Sequence, residues 1–212
     1  MNITFTGVDI KTDIDQLQFN QEYAVLFTET PEGRNRYPNR DDVRKILMKL
    51  YRHHTALHVC GRAATQNLED GKLDDLVHLV QRVQINGKVS GQRLQTVCER
   101  YPAHTIITQY NDNNKNLLDL CIENHAVLID SSAGRGLTPD TWGKLITEKP
   151  VGFAGGLGLD NIFIEFLDIY KLAEAGAWID MESKLRDEND WFSVDTVNDI
   201  IKTVNELISA LN

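Results

Sequence analysis

The chain has little cysteine, no long apolar segment and no excess of positive charge. Its three cysteines are an odd number without metal-site spacing, which is typical of a reducing environment rather than of a disulfide framework. No segment approaches the roughly 18 consecutive apolar residues of a membrane span. The first residues, MNITFTGVDIKTD, lack the basic segment and apolar core of a signal peptide. We therefore expect a cytoplasmic protein without a membrane-spanning segment.

The formal net charge of −9 argues against nucleic acid and anionic membrane surfaces as the main partners. The sequence also lacks a zinc-binding motif, a P-loop and the G-x-G-x-x-G dinucleotide fingerprint. We therefore expect no metal and no organic cofactor. The composition is that of an ordinary globular protein, 42% hydrophobic and 25% charged, and 212 residues suffice for one large α/β domain or two small ones.

Eight short apolar segments recur along the chain, and their spacing leaves room for a helix after each. These strand candidates are Ile3–Val8, Tyr23–Phe27, Ala56–Cys60, Val83–Ile85, Thr105–Thr108, Ala126–Ile129, Val151–Ala154 and Trp178–Met181. Apolar residues with helical spacing occupy five of the intervals: Val43–Leu50, Leu73–Val80, Leu94–Tyr101, Ile162–Tyr170 and Val197–Leu211. The pattern predicts a single closed (β/α)8 TIM barrel over Met1–Asn212, with an open doubly wound sheet as the alternative.

The sixth strand candidate shows the repeating unit most clearly. It ends on Asp130, and a glycine-containing loop, Ser131–Leu137, leads into Thr138-Pro139-Asp140. A threonine cap, a proline in the first helical position and an acid in the first turn predict a helix from Thr138. A loop at such a junction can bind an anion or a polar substrate. The alternative is that Asp130 only ends a strand and the glycines only make a turn.

In a (β/α)8 barrel the functional groups lie at the C-terminal ends of the strands. The predicted C-terminal ends in this chain are polar and rich in glycine, whereas the opposite ends offer few such groups. This asymmetry is typical of an enzyme.

Four segments resemble a known family. VGFAGGLGLDNI (Val151–Ile162) is similar to its A-G-G-L segment, and LIDSSAGRGLTPDTW (Leu128–Trp142) to its L-L-D segment with the glycine-rich loop that follows. VQING (Val83–Gly87) is similar to V-Q-L-H-G, and Asn35-Arg36-Tyr37 to the P-R-Y segment after strand two. The chain thus resembles the phosphoribosylanthranilate isomerase family, cofactor-free (β/α)8 enzymes of tryptophan biosynthesis, over essentially its whole length.

The resemblance implies an Amadori rearrangement, in which a phosphorylated aminoaldose becomes an aminoketose. Asp130 aligns with the family's general acid, a role open to a carboxyl whose pKa is raised by burial. Arg36 aligns with the arginine expected to hold the substrate carboxylate, for which a planar bidentate donor is suited. Gln84, Asn86 (where the family carries histidine) and Arg135 are further substrate-binding candidates. The phosphate-binding candidates are Gly134, Gly136, Gly155, Gly156 and Ser183.

Two positions depart from the family pattern. Thr6 stands where the family's cysteine base is expected, and a threonine hydroxyl is too weak an acid to act as a base without help. Lys184 replaces a glycine of the strand-eight phosphate segment. Cys60 and Asp9 are candidates for a relocated base, although a buried strand-end thiol and a helix-start acid are the simpler interpretations.

Three functions remain open at this point. The first is an isomerase acting on a small phosphorylated sugar, as a monomer or homodimer, and a different phosphosugar enzyme is its close variant. The second is a non-catalytic barrel that binds a phosphorylated ligand. The third is an interaction module that uses Trp191-Phe192 as an exposed apolar patch.

Overall fold

The computed structural model describes residues 1–130 and 135–211. Eight parallel strands pair in sequence order and close into one barrel, since β8 pairs with β1. The strands are β1 Asn2–Thr6, β2 Glu22–Thr28, β3 His54–Cys60, β4 Arg82–Asn86, β5 Thr105–Tyr110, β6 His125–Ile129, β7 Val151–Ala154 and β8 Trp178–Met181. The predicted fold class is confirmed, and every strand candidate corresponds to a strand.

Six α-helices surround the barrel in the described part of the chain. They are α1 Arg40–Lys49, α2 Arg62–Glu69, α3 Asp74–Val77, α4 Gly91–Arg100, α5 Ile162–Leu172 and α6 Val194–Leu211. All five helical patterns of the sequence lie on helices, but the second, Leu73–Val80, is reduced to the single turn of α3. The sequence pattern missed α2, whose buried face consists of Ala64, Thr65 and Leu68.

The helix expected to start at Thr138 is wrong: residues 137–150 form no helix. The Thr138 hydroxyl does not cap a helix but donates to the Gly156 carbonyl oxygen at 3.2 Å. Trp142 packs edge-on against Phe153 and donates from Nε1 to Glu165 at 2.7 Å. Ile146, which a helix would place on the same face, is 97% exposed. Tertiary contacts with the β7 loop and α5 therefore override the local capping signal.

Two other connections contain only a single 3-10 turn. Ile14–Gln16 follows β1, and Lys115–Leu117 follows β5. Within residues 1–130 and 135–211, the expected alternation of strand and α-helix is therefore incomplete after β1, β5 and β6, although the barrel itself closes.

Most of the core lies between the strands and the helices, whereas the barrel lumen holds a smaller apolar cluster. The buried members of that cluster are Ile107, Ala126, Leu128 and Trp178. Polar side chains fill much of the rest of the lumen. At its lower end Glu22 accepts from the Thr4 hydroxyl at 2.6 Å and pairs with Arg82 at 3.2 Å.

The contact between Glu22 on β2 and Arg82 on β4 joins strands that are not neighbours, so it must cross the lumen. The guanidinium of Arg82 also lies 4.1 Å from the centre of the Trp178 ring on β8. A partly polar lumen thus leads up to the C-terminal mouth of the barrel.

No helix in residues 1–130 or 135–211 combines the length and apolar character needed to cross a bilayer.

Candidate functional site

A cleft at the C-terminal mouth of the barrel collects side chains from five strands and the loops that follow them. It encloses about 480 Å³ when the open solvent at its mouth is included. Its polar lining comprises Gln84, Asn86, Gln109, Asp130, Asp180, Glu182 and Ser183, together with Gly136, Gly155 and Gly156. Seven of the sequence-predicted site residues therefore meet in one place.

Asp130 follows the last residue of β6 and is only 4% exposed. Gln109, near the end of the neighbouring β5, donates from Nε2 to Asp130 Oδ2 at 2.8 Å. Because Gln109 pairs with Leu128 in the sheet register, its amide is held beside the carboxylate by the strands themselves. The Asp130 carboxyl is thus fixed in the wall of the cleft.

Asp180 is a second buried carboxyl in the same cleft, and the sequence interpretation gave it no role. It lies on β8, and its Oδ1 accepts a 2.6 Å hydrogen bond from the Thr6 hydroxyl across the β1–β8 pair. Burial raises its pKa to about 7, although the hydrogen bonds from Thr6 and Gln84 oppose the shift. The available signal was a carboxylate in the middle of an apolar strand, which indicates a position facing the lumen.

Gln84 and His58 complete the floor of the cleft. Gln84 Nε2 lies 2.9 Å from Asn86 Oδ1, 3.4 Å from Asp180 Oδ2 and 3.3 Å from His58 Nδ1. Burial lowers the pKa of His58 to about 4, so its imidazole is neutral at pH 7. Gln84 Oε1 is buried and accepts no hydrogen bond from the described residues.

Cys60 lies in an adjoining cleft lined by Arg34, Arg36, Tyr37, Gly87, Asn111 and Asn113, which shares Asn86, Gln109 and Glu182 with the first. Its Sγ accepts from Asn86 Nδ2 at 3.4 Å. Burial raises the pKa of the thiol to about 12, so Cys60 is protonated at neutral pH. A thiolate base at this position is therefore not favoured.

Asp9 is the other candidate for a relocated base, but its carboxylate is engaged in contacts that hold two segments of the chain together. Its carboxylate accepts from the backbone N–H groups of Phe192 at 2.7 Å and Lys11 at 3.0 Å. It also pairs with the buried Arg186 at 3.4 Å. These contacts attach the β1 loop to the segment before α6, and Asp9 does not line the cleft.

Arg36 is placed at the mouth, but acidic side chains already surround it. Its Nε donates to Asp190 Oδ1 at 2.9 Å, and its Nη1 donates to Glu182 Oε1 at 3.1 Å. A substrate carboxylate would have to compete with these two. Burial raises the pKa of Glu182, while the Arg36 guanidinium opposes that shift.

The glycine loops after β6 and β7 meet at the rim of the cleft. A methyl group added to Gly156, whose φ is +57°, would lie 2.6 Å from the Thr138 amide nitrogen. One added to Gly155 would lie 2.8 Å from the Leu137 carbonyl oxygen. Glycine is therefore needed here for close backbone approach. Asn161 ties the loops further, because its Nδ2 donates to the Gly156 carbonyl oxygen at 3.0 Å.

The remaining predicted residues are distributed unevenly. Ser183 begins the 3-10 turn after β8 and lies beside Gly136, where an added methyl group would come within 2.9 Å of its hydroxyl. Arg135 is exposed at the rim and does not line the cleft. Gly134 lies outside the described residues.

The described lining of the first cleft carries three carboxylates and no basic side chain. Lys184 is directed instead to Asp160, at 2.7 Å, and Arg186 to Asp9. A phosphate in this cleft would therefore depend on backbone N–H groups and hydroxyls rather than on these two cations. Among the described residues, no cluster of three or more His, Cys, Asp or Glu side chains is arranged to hold a metal ion.

No family model and no curated protein matches the chain. Several solved structures are similar to it. Phosphoribosylanthranilate isomerase from Thermus thermophilus is similar with a TM-score of 0.70 and 16% identity, covering 98% of this chain and all of that one. Monomers of the dimeric enzyme from Thermotoga maritima are similar with a TM-score of 0.68 and 13% identity, covering 97% of this chain and 98% of that one.

A different enzyme with the same architecture is also similar. The 3-hexulose-6-phosphate synthase from Salmonella typhimurium has a TM-score of 0.59 and 11% identity, covering 97% of this chain and 99% of that one. At such identities the likeness shows the fold alone. The reaction has to be argued from the site.

The apolar patch expected at Trp191-Phe192 is not exposed as such. Phe192 is buried, with only 6% of its surface accessible. The Nζ of Lys11 lies 4.1 Å from the centre of the Trp191 ring and partly covers it. The pair therefore packs the β1 loop against the start of α6. The exposed apolar patch on which the interaction-module hypothesis depended is not present at Trp191-Phe192.

Proposed function

We propose that the protein is an intramolecular aldose–ketose isomerase that acts on a small phosphorylated sugar, as the phosphoribosylanthranilate isomerases do. The observation that carries the proposal is the sharing of one cleft by a buried carboxyl, Asp130, and the glycine loops at Gly136, Gly155 and Gly156. The two features supply two of the things that the reaction needs, a proton donor and uncharged groups that can bind a phosphate.

The phosphate-binding site would consist of backbone N–H and hydroxyl donors. Loops after the last strands of a (β/α)8 barrel commonly bind phosphate through N–H groups. Here the loop at Gly155 and Gly156 faces the same cleft as the Ser183 hydroxyl. Both backbones are held in conformations that favour glycine, with φ of +139° and +57°.

The proton donor would be Asp130. Protonation of the furanose ring oxygen lets the C1–O bond break, and the electron pair of the amine nitrogen forms an iminium group at C1. The Gln109 amide, at 2.8 Å, keeps the carboxyl in one orientation through this step. A positioned general acid contributes on the order of 10²–10⁴ in rate.

The test is a fluorescence assay for conversion of phosphoribosylanthranilate by the purified protein and by Asp130→Asn. Asp112→Asn is the matched control, because its side chain is almost fully exposed, far from burial in the cleft. We expect turnover in the wild type and the control, and a loss of at least about 100-fold in Asp130→Asn. Equal rates in Asp130→Asn and the wild type would remove Asp130 from the mechanism.

A non-catalytic phosphate-binding barrel is the second candidate, and the state of Cys60 and Arg36 favours it. The Cys60 thiol is protonated at neutral pH, and the Arg36 guanidinium is already paired with Glu182 and Asp190. This candidate predicts that inorganic phosphate raises the Tm equally in the wild type and Asp130→Asn, with no turnover in either. Turnover created by Thr6→Cys would then show that the rest of an isomerase site is intact.

A further inference from the structure

The mouth of the barrel contains a buried carboxyl that the acid step leaves unused. Asp180 lines the same cleft as Asp130 but comes from β8, which is separated from β6 by one strand, β7. Its Oδ1 is fixed by the Thr6 hydroxyl at 2.6 Å. Resting on the proposed function, we propose that Asp180 is the general base of the isomerisation and that Thr6 is the residue that positions it.

The other candidate bases at the mouth are occupied or protonated. The Thr6 hydroxyl is itself a hydrogen-bond donor to Asp180. The Cys60 thiol has a pKa of about 12, and Asp9 is held by Arg186 outside the cleft. Glu182 is the remaining carboxylate of the lining, and it forms an ion pair with Arg36. Asp180 alone among these lines the cleft and has, in the described part of the chain, only the neutral His58 within ion-pair distance.

The protein environment suits a base that works at neutral pH. The pKa of Asp180, about 7, provides both a substantial carboxylate fraction and a driving force for proton transfer. Thr6 on β1 and Gln84 on β4 face it with hydrogen-bond donors. The charged and titratable groups around it are His58 on β3, Arg82 on β4, Glu22 on β2 and Glu182 after β8.

His58 shows that this environment disfavours a second charge. Its Nε2 lies 4.0 Å from Asp180 Oδ2, but burial lowers its pKa to about 4. The imidazole therefore stays neutral while Asp180 titrates, so it does not lock the carboxylate into a permanent ion pair.

The chemistry balances as a simple proton exchange. After Asp130 has protonated the ring oxygen and the iminium has formed, the Asp180 carboxylate removes the proton from C2. The C2–H electron pair becomes the C1=C2 double bond, and the C1=N π electrons return to nitrogen, which gives an enolamine. Tautomerisation to the aminoketose moves the hydroxyl proton of O2 to C1. Exchange with solvent then removes the proton from Asp180 and returns one to Asp130, so no oxidant, reductant or co-substrate is required.

Gln84 provides an independent sign that a ligand belongs beside Asp180. Its Oε1 is buried in the same wall and has no hydrogen-bond partner in the described part of the chain. A buried unpaired amide oxygen is costly unless a ligand satisfies it. A sugar hydroxyl next to the carbon that loses its proton would supply the missing donor.

The experiment compares the pH dependence of kcat/KM for the wild type, Asp180→Asn, Thr6→Val and Thr6→Ser, with Asp130→Asn alongside. For the wild type we expect an ascending limb near pH 7. Asp180→Asn should lose at least about 100-fold in kcat while it still gains Tm from inorganic phosphate. Thr6→Val removes a hydrogen bond that favours the carboxylate, so the ascending limb should move to higher pH, and Thr6→Ser should restore it.

The outcomes separate the two proposals. Turnover by the wild type that persists in Asp180→Asn would overturn the assignment of the base and leave the isomerase proposal standing. An ascending limb that does not move in Thr6→Val would overturn the positioning role of Thr6. No turnover by the wild type would overturn the isomerase proposal, and the assignment of the base would fail with it.

Discussion

The indole of Trp178 on β8 lies so close to Gly152 on β7 that a methyl group on residue 152 would come within 2.2 Å of ring atom Cε2. The two residues are direct partners in the β7–β8 pair. Because Gly152 has no side chain, the Trp178 ring on the next strand fills the space beside it. This pair closes the apolar side of the lumen.

We expect Gly152→Ala to lower the free energy of unfolding by about 2–4 kcal/mol, because overpacking at a rigid strand pair forces the ring or the backbone to move. In a Trp178→Leu background the clash is removed, so the same substitution should cost much less. Urea unfolding of the four proteins in the double-mutant cycle measures the coupling. Additive effects would contradict the close contact.

The buried pair of Arg186 and Asp9 supports a second prediction. Arg186→Met should lower the free energy of unfolding by about 3–5 kcal/mol, since it leaves a buried carboxylate without its cation. Burial already raises the pKa of Asp9, and Arg186 opposes that shift. Loss of the arginine raises the pKa further, so the deficit should be smaller at pH 4 than at pH 7.5. Arg62→Met, at an exposed position, is the control and should change stability by less than about 0.5 kcal/mol.

Asp180 should make stability depend on pH in an unusual direction for an aspartate. Its pKa is about 7 in the folded protein, above the roughly 3.9 of an unfolded chain. Its contribution is therefore fully present below about pH 4 and is lost as the pH rises to 7. Asp180→Asn, which cannot ionise, should gain stability relative to the wild type across this range, by up to about 4 kcal/mol. Chemical unfolding at pH 4, 5.5 and 8 measures the trend, and a constant difference would refute it.

The fourth prediction concerns Gly156 in the loop after β7, with Gly143 as its control. Gly156→Ala should lower the free energy of unfolding by at least about 1–2 kcal/mol, because residue 156 has a positive φ and a new methyl group would meet the backbone of Thr138. Gly143→Ala meets nothing within 4 Å and has an ordinary φ, so it should be close to neutral. Thermal denaturation of both variants, with and without inorganic phosphate, checks the stability effect and the proposed phosphate-binding site together.

The strands were the most predictable part of the fold. Val151–Ala154 and Trp178–Met181 were predicted with the bounds that the structure shows, because a short, mainly apolar segment is a local signal. The helix at Thr138 was predicted from an equally local signal and is absent. The Thr138 hydroxyl donates to the Gly156 carbonyl oxygen instead. Trp142 packs against Phe153 and donates to Glu165, and all of these partners are distant in sequence.

The candidate site was predictable to the same extent. The order of strands, together with the rule that parallel strands end at one mouth, placed Asp130, Gln84, Asn86 and Ser183 in one cleft. The state of each group was not predictable. Arg36 is enclosed by Glu182 and Asp190, and Cys60 is held as a thiol by burial, because both properties depend on neighbours contributed by other strands and loops.

The sequence by itself therefore determined the eight strand segments and the end of each that carries the polar groups, since periodicity is a property of the chain. The pairing of β8 with β1 in the structure decided for the closed barrel over the open sheet. Only the tertiary structure showed that the ionisable group beside Thr6 of β1 is Asp180 of β8. The reason is physical: a pKa is set by desolvation and by donors a few ångströms away, and Thr6 and Asp180 are 174 residues apart in the sequence.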